Sequence, residues 1–150
     1  MVRRGLDQLS QAGTCPEQMA LELTAALVEQ MRRHVIEAAP LEACGMVAGP
    51  AGCAQRVYPI TNELHSPVRY RMEPRQQLAA FEHIEEQGWE LLAIYHSHPN
   101  GPPVPSPTDI AEAYYPEALH LIWCRLPAGW SLRAFDIQHA QVKEIPLRLR

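Results

Sequence analysis

Two histidines at alternate positions, His96 and His98, follow the apolar run Leu91–Tyr95. That run predicts a buried strand, and residues two apart on a strand project to the same side, so both imidazoles should leave its end in the same direction. A loop rich in proline and glycine, residues 99–105, then leads to Asp109, where a helix should begin. Two imidazoles and one carboxylate are a ligand set typical of catalytic zinc, with the fourth position left for water.

A zinc site that hydrolyses an amide also needs a proton acceptor near the water and a donor for the developing oxyanion. No HExxH motif supplies the acceptor, because the closest sequence, residues 83–86, lacks the second histidine. Glu42 is the best candidate base, since it precedes the apolar run Ala43–Gly49 and would lie at the mouth of a buried strand. Ser106, in the same loop as the ligands, is the candidate oxyanion donor.

Each of these residues also has a structural interpretation. The tetrapeptide from Ser106 to Asp109 has serine at a helix cap, proline at the first position and an acid at the third, which is typical of a capping box. A single His-x-His pair or a single glutamate before a strand is weak evidence for a site. Their joint occurrence at this spacing favours a metal site, and Asp109 can bind metal while Ser106 caps the helix.

Periodicity predicts an α/β (α+β) protein in which helices pack against one sheet. Residues 1–16 show no clear period and are predicted to be a flexible N-terminal extension, followed by a single domain over residues 17–150. Thr24 is the predicted N-cap of the first helix. Helices are predicted at residues 25–38, 74–88 and 107–115. Strands are predicted at residues 19–23, 43–49, 53–60, 70–72, 90–95, 119–124, 131–136 and 141–145.

Composition narrows the function classes. Of the 150 residues, 47% are hydrophobic and 20% charged, which is typical of a globular protein, and the net charge of −4 without a Lys/Arg cluster disfavours nucleic acid and anionic membranes as partners. No apolar run approaches the roughly 20 residues of a membrane span, and no secretory signal is evident. The cysteines form no CxxC pair and are interpreted as reduced thiols of a cytoplasmic protein: Cys15, Cys44, Cys53 and Cys124.

Other residues near the histidines have simpler interpretations. Tyr95 and Trp123 are expected in the core. Ser97 should point away from the two histidines and make hydrogen bonds that orient them. His120 and His139 have no evident partner and are expected at the surface or beside a strand.

The motif consists of His96-Ser97-His98-Pro99, six further residues, Ser106, two further residues and Asp109. It resembles the signature of the JAMM (MPN+, Mov34/PAD-1) metalloproteases. The segment 40–49, which contains Glu42, resembles the family segment that carries the general-base glutamate. With similarity over residues 61–74 as well, the resemblance spans roughly residues 19–124 and is strongest to the short prokaryotic members.

The resemblance implies a fold, a cofactor and roles for residues. The implied fold is the JAB1/MPN fold, a curved mixed β-sheet flanked by helices and related to the cytidine-deaminase-like fold. One catalytic Zn²⁺ would be bound by His96, His98 and Asp109. Glu42 would deprotonate the water at the zinc, and Ser106 would support the tetrahedral intermediate.

The resemblance also implies a class of substrate. Members cleave the amide bond after the C-terminal Gly-Gly of a ubiquitin-like modifier or sulfur-carrier protein, and one prokaryotic branch frees cysteine from a carrier adduct. An exposed strand edge near Met72 or Val47 could pair with the carrier tail, and exposed edges make a homodimer plausible. Two alternatives stay open: a hydrolase of small non-protein amides, and a non-catalytic MPN scaffold that only binds.

Overall fold

The computed structural model describes residues 21–150. The predicted extension, residues 1–16, and the first two residues of the strand predicted at 19–23 lie outside the described residues. The helices are α1 (Ala25–Ala38), α2 (Pro74–Glu86) and α3 (Pro107–Ala111). The strands are β1 (Leu21–Leu23), β2 (Cys44–Gly49), β3 (Arg56–Ile60), β4 (Glu90–His98), β5 (Leu119–Leu126), β6 (Gly129–Gln138), β7 (Gln141–Ile145) and β8 (Leu147–Leu149).

The main sheet has six strands in the order β3-β2-β4-β5-β6-β7. All neighbouring strands are antiparallel except β4 and β5, which are parallel and are joined by the crossover 99–118. The predicted mixed sheet with flanking helices is therefore confirmed. A separate two-stranded parallel sheet pairs β1 with β8.

Each face of the main sheet carries its own buried cluster. Alternate residues of one strand belong to different clusters, since Tyr95 packs with α1 and Ile94 packs with α2. Thr24 caps the start of helix α1, as predicted, and its Oγ1 accepts the Leu27 N–H at 3.3 Å. Its buried side chains contribute on the order of 2 kcal/mol each by leaving water. These side chains are Leu27, Met31 and Val35.

Several elements differ in length from the predictions. Strand β4 continues past Tyr95 to His98 because both of its edges are hydrogen-bonded, to β2 on one side and to β5 on the other. Helix α3 ends at Ala111 instead of residue 115, and the Tyr115 ring packs against Phe81 with centroids 5.7 Å apart. The predicted strand at 70–72 is reduced to one bridge, and β8 was not predicted.

The cysteines are only partly as predicted. Cys44 and Cys124 are free and buried. Cys53 is disulfide-bonded, so the prediction of a reduced thiol is wrong at that residue, and Cys15 lies outside the described residues. Among residues 21–150, no helix is both long and apolar enough to cross a membrane.

Candidate active site

Three side-chain atoms that could bind a metal meet at the end of β4 and the start of α3. The Nε2 atoms of His96 and His98 are 3.0 Å apart, and each is 3.1 Å from Oδ2 of Asp109. Both imidazoles are on one face of β4 because the strand continues through them, and both are buried. Asp109 reaches them because the crossover returns the chain to the same face.

This triangle fits a tetrahedral metal ion. Ligand distances of about 2.0–2.1 Å, as for zinc, place tetrahedral ligand atoms about 3.3 Å apart, close to the spacing observed. Nδ1 of His98 donates to the Pro102 carbonyl oxygen at 2.7 Å, which leaves the lone pair of Nε2 directed at the site. A histidine ligand commonly donates its second ring N–H to a carbonyl in this way. The site can therefore hold a divalent metal.

The helix cap of α3 holds the carboxylate in place. Ser106 N–H donates to Asp109 Oδ2 at 2.8 Å, and Asp109 N–H donates to Ser106 Oγ at 3.0 Å. Burial opposes ionisation of Asp109, but hydrogen bonds from His96 and His98 hold the pKa of this carboxyl well below its usual range. The capping interpretation of residues 106–109 and the ligand interpretation are therefore compatible in one geometry.

Ser106 contributes its oxygen to the cap, and its hydroxyl hydrogen stays available to an oxyanion. We expect Ser106→Ala to lower kcat by about 10²- to 10³-fold, the usual effect of losing one oxyanion donor. Loss of the cap should also destabilise the protein by about 1 kcal/mol. Steady-state kinetics and urea unfolding measure the two effects separately. An alanine variant with wild-type kcat and reduced stability would leave Ser106 as a cap only.

The backbone around Glu42 is held by hydrogen bonds on both sides. On one side, Ser97 Oγ accepts the Ala43 N–H at 2.7 Å and Ser97 N–H donates to the Ala43 oxygen at 3.0 Å. On the other side, Asn62 Nδ2 donates to the Glu42 oxygen at 3.1 Å, and Glu42 N–H donates to the Ser66 oxygen at 2.9 Å. Ser97 points away from the histidines, and its hydrogen bonds to Ala43 hold the backbone next to Glu42 against β4.

The Glu42 carboxylate is buried beside the histidines. Its oxygen lies within 4.8 Å of their ligand atoms, so Glu42, His96 and His98 form a second possible ligand set. Oε1 of Glu42 has no hydrogen-bond partner within residues 21–150. Burial raises the pKa of Glu42 to about 8, with His98 lowering it and Asp109 raising it. Without a metal, Asp109 therefore favours its ionised form and Glu42 its protonated form.

The raised pKa of Glu42 has a consequence for stability in the metal-free protein. Between pH 4.5 and about 8 the folded state keeps a proton on Glu42 that the unfolded state has lost, so stability falls as pH rises through this window. After metal is removed with a chelator, we expect the Glu42→Gln variant to have a melting temperature several degrees above that of wild type at pH 8. At pH 5 the two melting temperatures should be similar. Thermal melts at the two pH values test this. An equal difference at both would contradict it.

Two cavities adjoin the site. The larger, about 420 Å³, runs from Asp109 past Tyr70 and Met72 to His120, and the Tyr70 ring stacks on His96 with centroids 4.7 Å apart. The smaller, about 270 Å³, is lined by Glu42 together with His34, Asn62 and His65. The structure thus brings all five predicted site residues together and places one cavity next to Asp109 and another next to Glu42.

Sequence reasoning missed three residues of this region. Asn62 has a buried side-chain amide that joins the Glu42 backbone to residues 69–71. Its place in a turn-forming stretch could have indicated such backbone hydrogen bonds. Tyr70 forms a wall of the site through its stacking on His96. His120 was expected at the surface or beside a strand, but it lies within β5 and is buried at 4% exposure, because β5 is a central strand covered on both faces.

Comparison with known proteins agrees with this geometry. Residues 24–138 match the family described as prokaryotic homologs of the JAB domain. The chain is 42% identical over 105 residues to a probable TtuB-protein conjugate cleaving protease of Thermus thermophilus, covering 67% of this chain and 70% of the relative. It is 36% identical over 132 residues to the CysO-cysteine peptidase of Mycobacterium tuberculosis, covering 86% and 90%.

A solved structure supports the fold. A JAB1/MPN domain protein from Archaeoglobus fulgidus superposes with a TM-score of 0.58 at 15% identity, covering 87% of this chain and 98% of that one. The predicted JAB1/MPN fold and the predicted JAMM-type hydrolase are confirmed. The family match, the two relatives and the triangle of ligands at the end of β4 lead to one conclusion. The chain belongs to the prokaryotic JAB family and is a hydrolase of the JAMM metalloprotease type.

Proposed function

We propose that the protein is a zinc-dependent peptidase that hydrolyses the amide bond after the C-terminal Gly-Gly of a ubiquitin-like modifier or sulfur-carrier protein. The observation that carries the proposal is the buried Glu42 carboxylate, which has an oxygen without a partner among residues 21–150 and lies beside the triangle of His96, His98 and Asp109. The relatives named for cleaving TtuB conjugates and CysO-cysteine support this class of substrate.

The proposed chemistry divides between the metal and the chain. Zinc held by His96, His98 and Asp109 would supply Lewis acidity to the attacking water and the scissile carbonyl. Glu42 accepts the proton of the attacking water and delivers it to the departing amine. The Ser106 hydroxyl donates to the oxyanion as the carbonyl carbon becomes tetrahedral. The product is a carrier with a free C-terminal carboxylate and an amine on the released group.

The surroundings of the site favour glycine at the cleaved bond. The Tyr70 ring is stacked on His96, so a chain approaching the triangle must pass close to an aromatic wall. Only residues without a Cβ allow an extended backbone to come this near, which suits Gly-Gly. Of the two edges considered for the tail, Val47 is unsuitable because β2 is paired on both sides, and the edge near Met72 is retained.

Mass spectrometry of one reaction tests the proposal. A ubiquitin-fold sulfur carrier extended by cysteine after Gly-Gly is incubated with the zinc-loaded protein, and Glu42→Gln serves as the control. We expect wild type to shorten the carrier by one residue and the variant to leave it intact. Cleavage elsewhere, or equal cleavage by both proteins, contradicts the proposal.

Two further outcomes point to the alternatives. Stoichiometric zinc binding without carrier cleavage, together with turnover of a small acyl amide, would favour a hydrolase of small amides. Absence of both zinc binding and cleavage would favour a binding scaffold. Metal analysis by mass spectrometry and a small-amide assay on the same preparation therefore accompany the carrier reaction.

A further inference from the structure

His120 is a buried polar residue with no role in the chemistry described above. It is 4% exposed, and neither ring nitrogen has a hydrogen-bond partner within residues 21–150. A buried hydrogen-bonding group without a partner is unfavourable, so its presence in a native protein calls for an explanation. Burial lowers the pKa of His120 to about 4, so the imidazole is neutral at pH 7 and offers one donor and one acceptor.

His120 and the ligand triangle share one face of the sheet. His120 is paired in register with Ile94, which is two residues before His96 on β4. Two residues of a strand span about 7 Å, so His120 lies about that far along the sheet from the level of His96. The cavity of about 420 Å³ connects the two levels, because both Asp109 and His120 line it.

The segment 70–72 offers a backbone path along this cavity. The Arg71 oxygen accepts the Glu63 N–H at 2.9 Å, and Arg71 N–H donates to Asn62 Oδ1 at 3.1 Å, so the polar groups of Arg71 face the 62–63 turn. Polar groups alternate sides along an extended segment, and within residues 21–150 the backbone of Tyr70 and Met72 makes no hydrogen bond to other backbone. Both residues line the cavity and can pair with an added strand.

The spacing then assigns a position in the substrate. Tyr70 stacks on His96, and Met72 packs in the same cluster as Ile94, so this edge runs from the level of the triangle to the level of His120. If the last glycine of the tail has its carbonyl at the triangle, the residue two positions earlier lies about 7 Å away. That residue is the one immediately before Gly-Gly.

We propose that the cavity binds the side chain preceding Gly-Gly and that His120 is its hydrogen-bond partner, which selects an uncharged polar side chain at this position. This inference rests on the proposed function, since it places a carrier tail in the site. Ile94 and Met72 supply apolar contact to the stem of the side chain. At the rim, Arg69 is paired with Glu112 at 3.5 Å, so their charges are balanced and offer little to a charged side chain.

Two isosteric pairs of substrates test the selection. Carriers ending in X-Gly-Gly-Cys are compared with X as threonine or valine, and as glutamine or methionine, so that each pair differs mainly in its hydrogen-bonding group. We expect wild type to favour the polar member by about tenfold or more in kcat/KM, because the apolar member leaves His120 unpartnered. In His120→Leu the preference should disappear or reverse, and in His120→Gln it should persist.

The variants have a built-in check on folding. His120→Leu replaces an unpartnered imidazole by an apolar group of similar size, so its melting temperature should equal or exceed that of wild type. His139→Asn, a change at an exposed histidine with positive φ, should leave the preference and the melting temperature unchanged. A melting temperature lowered by several degrees in His120→Leu would indicate a structural role for the imidazole and overturn the assignment.

A binding measurement separates this inference from the proposed function. The full chain, labelled with ¹⁵N-histidine and supplied with zinc, is titrated with peptides ending in Thr-Gly-Gly or Val-Gly-Gly. We expect the His120 ring signals to shift with the threonine peptide much more than with the valine peptide, whether or not any carrier is cleaved. Carrier cleavage with equal rates for both members of each pair and no His120 shift would overturn the inference and leave the proposed function intact.

Discussion

We expect Glu42→Gln to lower kcat by about 10²- to 10⁴-fold, the usual contribution of a general base, while zinc binding stays stoichiometric. Glutamine has nearly the same shape, but its amide cannot take a proton from water. The ligand atoms of His96, His98 and Asp109 are unaffected because Glu42 is outside their triangle. Carrier cleavage and metal content measured on the same sample give both results.

Glu63→Gln is the matched control. Glu63 is the next candidate base after Glu42, but it pairs with Arg71 and is more exposed than Glu42. We expect its glutamine variant to keep near wild-type kcat. If Glu63→Gln lost turnover and Glu42→Gln kept it, the proton-acceptor role would belong to Glu63.

The second large effect concerns the carboxylate of the triangle. We expect Asp109→Asn to weaken zinc binding by at least about 100-fold, since loss of partners outside the coordination sphere already costs 10- to 100-fold. The amide keeps an oxygen that can accept the Ser106 N–H, so the helix cap is preserved and only the negative charge is lost. Zinc titration against a chromophoric chelator measures the affinity, and turnover should fall with it at limiting zinc.

Asp136→Asn tests whether loss of any buried-strand carboxylate has this effect. Asp136 is on β6 and accepts a hydrogen bond from Gln138, away from the triangle. Its variant should bind zinc as wild type does. Unchanged zinc affinity in Asp109→Asn would remove Asp109 from the ligand set and favour the alternative set of Glu42, His96 and His98.

Local patterns were sufficient for much of the fold. The apolar period of residues 25–38 with Thr24 before it predicted α1 with its observed bounds, and the short gap between the strands predicted at 43–49 and 53–60 agrees with the β2–β3 hairpin. Ile36 belongs to the apolar period of this helix but is 41% exposed, because the buried stripe of α1 is limited to Leu27, Met31 and Val35. The predictions of strand length and existence were wrong where pairing between distant segments decides them. An example is β8, which has three residues and pairs with β1.

In the site, too, residues close in sequence could be predicted, whereas residues brought in by strand pairing could not. The spacing from His96 to Asp109 lies within one strand, one loop and one helix start, so a local motif indicates the ligands. Glu42 joins them only through pairing of β2 with β4, where Cys44 is opposite His96. His120 joins the region through the parallel pairing of β4 with β5. The burial of His120 could not be predicted from the sequence, because alternation within the six-residue apolar run 119–124 does not show which face of the strand is covered.

The crossover between β4 and β5 is a natural unit for exchange between related enzymes. Because the two strands are parallel, the chain must return across one face, and residues 99–118 supply both Asp109, the proposed metal ligand, and the cavity wall at Glu112 and Tyr115. Transplanting this segment into a relative should carry substrate preference along with a working ligand. Altering its length should disturb both together, so substrate preference is best changed through side chains at constant length.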